Sequence, residues 1–330
     1  MKLDARLRND MAHAARDAAE AEEIGFDGAW SNENQCDAFL PLGPAAAATT
    51  RIALGPSVAI AFSRTPMTVA YLGADLHRFS QGRFVLGLGS QIKPHIEKRF
   101  AMPWSAPAAR MREFVLALRA IWQAWDDEAP LRFEGRFYRH TLMTPQFSPP
   151  PSRYGTPPVY LAAVGPLMTR VAGEVADGVL AHPFITERYL NEVMVPALSA
   201  GRAAAGATMA GFEIGLSSFV ALDDADVAAV RRQISFYGST PAYRPVLDLH
   251  GWGDLQRELN LLSKQGRWDD MVGLVDDEVL HAMCAVGTAA EVAAELRRRY
   301  GAVAQRVRFN RPGDVPPPAR FAPLVDAMRG

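Results

Sequence analysis

The chain has 330 residues, 49% hydrophobic and 22% charged, an ordinary composition for a globular protein able to bury a large core. Its 35 Lys and Arg stand against 36 Asp and Glu, and the resulting formal charge of -1 argues against nucleic acid or a membrane surface as an electrostatic partner. No apolar run reaches the roughly 18 residues of a membrane span, and the opening MKLDARLRND lacks a signal-peptide core, so the cytoplasm is the expected compartment.

In chain order, the pattern predicts a short strand over 2–7, then an Ala- and Glu-rich helix over 10–24 stopped by Gly25. Strands follow at 26–30 and over the β-branched run 51–62. The segment 82–95, GRFVLGLGSQIKPH, reads as a buried strand running into a glycine-rich turn. Met111, Phe114, Val115, Leu118, Ile121, Trp122 and Trp125 recur at helical spacing over 107–126. Further strands are expected at 159–164, 178–180 and 212–222. Thr288 with Glu291 forms a capping-box pattern before a helix that stops at Gly301, and 303–310 reads as the last strand. Alternating strands and helices, with about eight strands, predict an α/β fold, a (β/α)8 TIM barrel. Two long stretches, 127–158 and 236–286, are expected as insertions at the C-terminal face of the barrel. With no low-complexity linker, residues 1–330 read as a single domain.

In such a barrel, functional groups gather where strands end. After the second strand comes the polar run Ser31 to Asp37, including Glu33 and Asn34. After the fourth come Gly87, Gly89, Ser90, Gln91, Lys93 and His95. After the fifth, Val164, Gly165 and Pro166 open a helix whose free amides, from Leu167 onward, suit a phosphate. After the sixth stands His182, which with His95 could serve as an acid–base group. Cys36 and Cys284 show no paired spacing, and no base partner can be assigned to Cys36. No His or carboxylate set has metal-ligand spacing, so no metal is expected.

The segments EEIGFDGAW (22–30), RIALGPSVAIAFSRTPMTVA (51–70), HRFSQGRFVLGLGSQ (77–91), PVYLAAVGPLM (158–168), AGEVADGVLAHPF (172–184) and VGTAAEVAAEL (286–296) resemble the luciferase-like flavin or deazaflavin oxidoreductase superfamily. The string over 93–122 resembles the subgroup that uses coenzyme F420, a deazaflavin hydride carrier. The resemblance implies a non-proline cis peptide at Ser57–Val58, with Ala59 beside it, backing the cofactor ring. It also implies that Gly87, Gly89, Ser90 and Gln91 line the cofactor. Val164 and the amides of Gly165, Leu167 and Met168 would hold the phosphate, with His182 near the same tail. Many relatives carry a carboxylate–histidine or histidine–aspartate pair after the second strand. This chain has Glu33-Asn34 and Cys36-Asp37 there, which makes Glu33 and His95 the catalytic candidates.

The expected activity is therefore hydride exchange between coenzyme F420 and a small organic molecule. Asn34, Lys93, Tyr243, His250 and Trp252 are the candidate substrate-wall residues. An FMN-dependent monooxygenase using oxygen, and a barrel that binds a flavin without turnover, are the alternatives. Exposed helix faces of barrels commonly pair, which leaves a homodimer open.

Overall fold

The computed structural model describes residues 1–8 and 10–330, and all counts and absences refer to these. The strands are β1 (Lys2–Arg6), β2 (Gly28–Ser31), β3 (Ala53–Pro56), β4 (Ala59–Ile60), β5 (Leu86–Gly89), β6 (Phe133–Glu134), β7 (Arg139–His140), β8 (Val159–Ala163), β9 (Gly178–Ala181), β10 (Glu213–Ala221), β11 (Cys284–Val286) and β12 (Arg306–Asn310). Strands β6 and β7 form a small antiparallel hairpin. The others belong to one sheet, ordered β3-β2-β1-β12-β10-β9-β8-β5-β4, with β11 added beside β10. The two ends of that path, β3 and β4, are consecutive pieces of one strand, and this is what closes the barrel. Strand β3 pairs with β2, and after Ser57 and Val58 the chain resumes as β4 and pairs with β5. A parallel bridge between Leu54 and Phe84 completes the ring. This is the (β/α)8 barrel expected from the alternating pattern, with its third strand split in two.

The helices begin and end where local chemistry dictates. Asp10 accepts from the His13 amide to start Met11–Ile24, which ends at Gly25 in the left-handed region, φ 103°. The capping box at Thr288 and Glu291 is complete. The helix Pro107–Asp126 matches its predicted bounds and buries the expected stripe from Met111 to Trp125. None of the helices is long and apolar enough to cross a membrane.

Two environments result from the two faces of the strands. The outward face packs Leu3, Ala5, Ile214, Leu216, Val307 and Phe309 beneath the helices, in the main apolar core. The inward face is largely polar. Arg306, only 2% exposed, donates through Nε and Nη2 to both Asp4 oxygens, at 2.7 and 2.8 Å. Its Nη1 reaches Glu213 Oε2 at 3.0 Å, and its guanidinium lies 5.1 Å from the centre of the Trp30 ring. Glu213 also accepts from Tyr160 Oη at 2.6 Å and pairs with Lys2. Burial works against the Glu213 carboxylate, but Lys2, Tyr160 and Arg306 overcome it and hold the group at about 2.

The two long stretches differ in where they run. Within 236–286, Tyr243 and His250 do lie over strand ends, against His182 and Thr186. The stretch 127–158 does not cover that face. Glu113 accepts from the amides of Arg136, Phe137 and Tyr138, while Tyr71 donates to the Phe147 carbonyl and His77 meets that of Tyr154. It follows a helix, enters β8 from the opposite end, and packs along the outside of Pro66–Phe79 and Pro107–Asp126.

Replacing Arg306 by Met would leave the Asp4 carboxylate buried and uncompensated. The variant should lose about 3–5 kcal/mol of unfolding free energy in urea, and a loss below about 1 kcal/mol would refute the central role given to this ion pair.

Candidate active site at the carboxyl ends of the strands

The break in the third strand organises this end of the barrel. The Ser57–Val58 peptide is cis, as the resemblance implied. The Ser57 amide donates to the Ser31 carbonyl at 2.7 Å, which ties the break to the end of β2. Across the break sits β5, and its glycines have a packing reason. A Cβ on Gly87 would lie 2.0 Å from the Pro56 carbonyl oxygen, and one on Gly89 would lie 2.6 Å from Val58 Cγ2. Their missing side chains make room for the third strand, a packing role beside the cofactor-lining one that the resemblance implies. Beyond them Gln91 takes a positive φ of 60°, and its side-chain oxygen accepts from the Ile92 amide at 3.0 Å.

The two catalytic candidates are not brought together. Glu33 is nearly buried and fully engaged. Its Oε1 and Oε2 accept from Arg64 Nη1 at 2.9 and 2.7 Å, and Oε2 also accepts from the Ile60 amide at 2.7 Å. Arg64 in turn holds Asp37 at 2.6 Å, so the polar run after β2 is clamped to the segment after β4. His95 is exposed at the start of the turn His95–Arg99, from which only Ile96 enters the core. Lys93 is exposed beside Glu97, at 3.8 Å, and Asn34 is exposed as well.

The fifth strand end has the expected form. The helix Pro166–Val175 starts at Gly165, which has no side chain to cap it. A Cβ added at Gly165 would meet nothing within 4 Å, so the approach to the first turn is open. The Val164 carbonyl accepts from Tyr189 Oη at 3.1 Å, which anchors the strand end. The amides of Leu167 and Met168 in that turn have no intrahelical acceptor, and the helix dipole favours an anion there.

His182 sits in an aromatic cluster. Its ring stacks on Tyr243 at 4.6 Å and meets Tyr237 edge-on at 4.6 Å. Its Nδ1 accepts from the Phe184 amide at 3.1 Å, so the neutral ring carries its proton on Nε2 and donates to Tyr243 Oη at 3.1 Å. Burial, aided by the charge of Arg308, lowers the imidazole from its ordinary value to about 3. It is neutral in the physiological range. Tyr243 is pushed upward by burial. His250 bonds to Thr186 Oγ1 at 2.8 Å and stacks on Trp252 at 4.4 Å, forming a second aromatic pair on this side.

Sequence reasoning missed the floor of this end of the barrel. A cavity between β9, β10 and the third-strand break is lined by Ser57, Ala181, Ser217 and Arg308, with Asp4 and Trp30 below. Arg6 and Arg308 project inward from neighbouring strands. The alternation Lys2, Asp4, Arg6 and Arg306, Arg308, Asn310 could have revealed them, because period two in a closed barrel puts every second residue inside.

The fold is a (β/α)8 barrel, the architecture whose enzymes carry their sites at the carboxyl face of the strands. The chain matches the luciferase-like monooxygenase family over residues 3–306 and belongs to it. It is 54% identical over 313 residues to the uncharacterised protein Rv1360 of Mycobacterium tuberculosis, covering 93% of this chain and 92% of that one. It is 29% identical to the 5,10-methylenetetrahydromethanopterin reductase of Archaeoglobus fulgidus, covering 82% of this chain and 81% of the relative. In fold it is similar to the coenzyme F420-dependent tetrahydromethanopterin reductase of Methanopyrus kandleri, with a TM-score of 0.80, 22% identity, and coverage of 99% and 97%.

The depressed His182 sets a pH dependence. Between about pH 6.5 and about pH 3 the unfolded chain binds a proton that the folded chain refuses, so this contribution to stability is complete above pH 6.5 and is lost as the pH falls. Urea midpoints at pH 7 and pH 5 should therefore fall further apart in the native protein than in His182→Gln. Equal falls in both would contradict the buried neutral imidazole.

Proposed function

We propose that the protein is a coenzyme F420-dependent oxidoreductase that exchanges a hydride with a small organic substrate at the carboxyl mouth of the barrel. When bound, the deazaflavin supplies the hydride chemistry. The residues of this chain bind it, orient the substrate against it and keep water out.

The observation that carries this reading is the uncapped first turn at Gly165, open above and aimed outward at a strand end. Its donor set of backbone amides at Leu167 and Met168 fits a phosphate ester and adds no metal requirement. The similar fold of the coenzyme F420-dependent reductase of Methanopyrus kandleri supports the choice of coenzyme. In this reading Ser57, Val58 and Ala59 form one wall for the ring. Strand β5 and its turn, from Gly87 and Gly89 to Ser90 and Gln91, form the adjoining wall. Tyr243, His250 and Trp252 wall the substrate side, with His182 as a neutral, fixed hydrogen-bonding group between the two. Glu33 acts as a positioning residue, because Arg64 and the Ile60 amide engage its oxygens. His95 and Lys93 face solvent and serve only groups that reach past the mouth.

Fluorescence titration should show tight binding of coenzyme F420 and far weaker binding of FMN. Gly165→Asp should separate binding from folding. Its side chain can cap the helix and add a few tenths of a kcal/mol of stability, yet its charge and its hold on the amides should weaken the coenzyme at least about tenfold. Tight FMN binding with no affinity for the deazaflavin, or an unchanged affinity in Gly165→Asp, would overturn this reading.

A further inference from the structure

The inside of the barrel carries two more positive charges than it can match. Lys2 and Arg306 are answered by Glu213 and Asp4. Arg6 and Arg308 are not. Neither makes an ion pair among the described residues. Arg6 Nε and Arg308 Nη1 are shut off from solvent with no hydrogen-bond partner. Arg308 Nη2 reaches only a hydroxyl, Ser217 Oγ at 3.2 Å.

Arg308 faces Asp4 across β12 and β1, and Arg6 stands two residues beyond Asp4 on the same side of β1, so these like charges are near neighbours. Burial, with the charge of Arg6 adding to it, brings the Arg308 guanidinium down to about 10, and burial also lowers Arg6. Asp4 offsets this in part, but both its oxygens are taken by Arg306. Tyr237, at the edge of the aromatic cluster, feels both arginines, and burial keeps its phenol protonated. Holding two partly buried cations side by side with inner donors unmade is costly to the fold. Proteins keep such arrangements where a ligand completes them.

Arg308 and Ser217 line the cavity that also touches Ser57 at the third-strand break and Ala181, the residue before His182. Resting on the function proposed above, we propose that Arg6 and Arg308 form a carboxylate-binding site, so that the substrate is a small organic acid anchored on the barrel axis beside Ser57. A carboxylate has two oxygens, matching the two orphaned donors, and Ser217 can supply a further contact. Guanidinium groups suit this planar anion better than an ammonium would. The site also acts as a filter, since an uncharged analogue would leave both arginines unmatched.

The test uses the intact protein without coenzyme, at low salt, with pyruvate, oxalate and benzoate as probes and acetamide and benzamide as neutral counterparts. Melting temperature and calorimetric affinity are read for the native protein, Arg6→Gln, Arg308→Gln and Arg308→Lys. At least one carboxylate should raise the melting temperature of the native protein, more weakly as salt is added, while the amides leave it unchanged. Each glutamine variant should lose about 30-fold or more in carboxylate affinity, and Arg308→Lys should retain part of it. Without any probe, the glutamine variants should melt at or above the native temperature, because like-charge repulsion is relieved. No carboxylate response in the native protein would overturn the site. So would glutamine variants that melt well below it yet bind carboxylates as it does, since the arginines would then be structural. Carboxylate binding without coenzyme F420 binding would sustain the anion site and overturn the coenzyme reading. Coenzyme binding without any carboxylate response would do the reverse.

Discussion

The interaction on which the rest depends is the pairing of Arg306 with Asp4 and Glu213 inside the barrel. Through these contacts one side chain of β12 engages β1 and β10, and Glu213 extends the link to Tyr160 of β8. The Trp30 ring of β2 lies under the same guanidinium. A barrel of this size must fill its interior with side chains, and here much of the filling is ionic. A buried charged interior holds only if each charge is answered, so the lower part of the barrel is rigid and matched. The mismatch is confined to the upper layer, where Arg308 lines the cavity that touches the strand break and Arg6 stands on the neighbouring strand.

That break is the second constraint. Because the third strand changes partners at Ser57 and Val58, the neighbouring strand must approach closely, and glycine is the residue that permits it at 87 and 89. The wall proposed for a ring-shaped ligand is thus a consequence of how the barrel closes. The anion-suited helix start at Gly165 and the aromatic cluster around His182 stand on later strands of the same ring. Fold closure and site construction use the same few residues.

Much of the fold was legible in the sequence, because helix stripes and glycine stops are local signals. The helix over 107–126 and the helix start at Pro166 follow from spacing and proline alone. The cis peptide could be placed only through family resemblance, since nothing in GPSVAI marks it physically. Less legible was anything set by long-range contact. Glu33 looked like a free acid beyond a strand because its partner Arg64 is 31 residues away in sequence. The route of 127–158 depends on Glu113 and Tyr71, which no local pattern reveals. Arg6 and Arg308 were hidden for another reason: charged residues in short terminal strands read as solvent-facing until the barrel turns them inward.

The most direct measurement is a crystal structure of the protein with coenzyme F420 bound. The account predicts the phosphate on the amides of Leu167 and Met168, the ring against Ser57 and Val58, and the guanidiniums of Arg6 and Arg308 left facing the space where substrate enters. A phosphate held elsewhere, or a ring that does not touch the third-strand break, would contradict it.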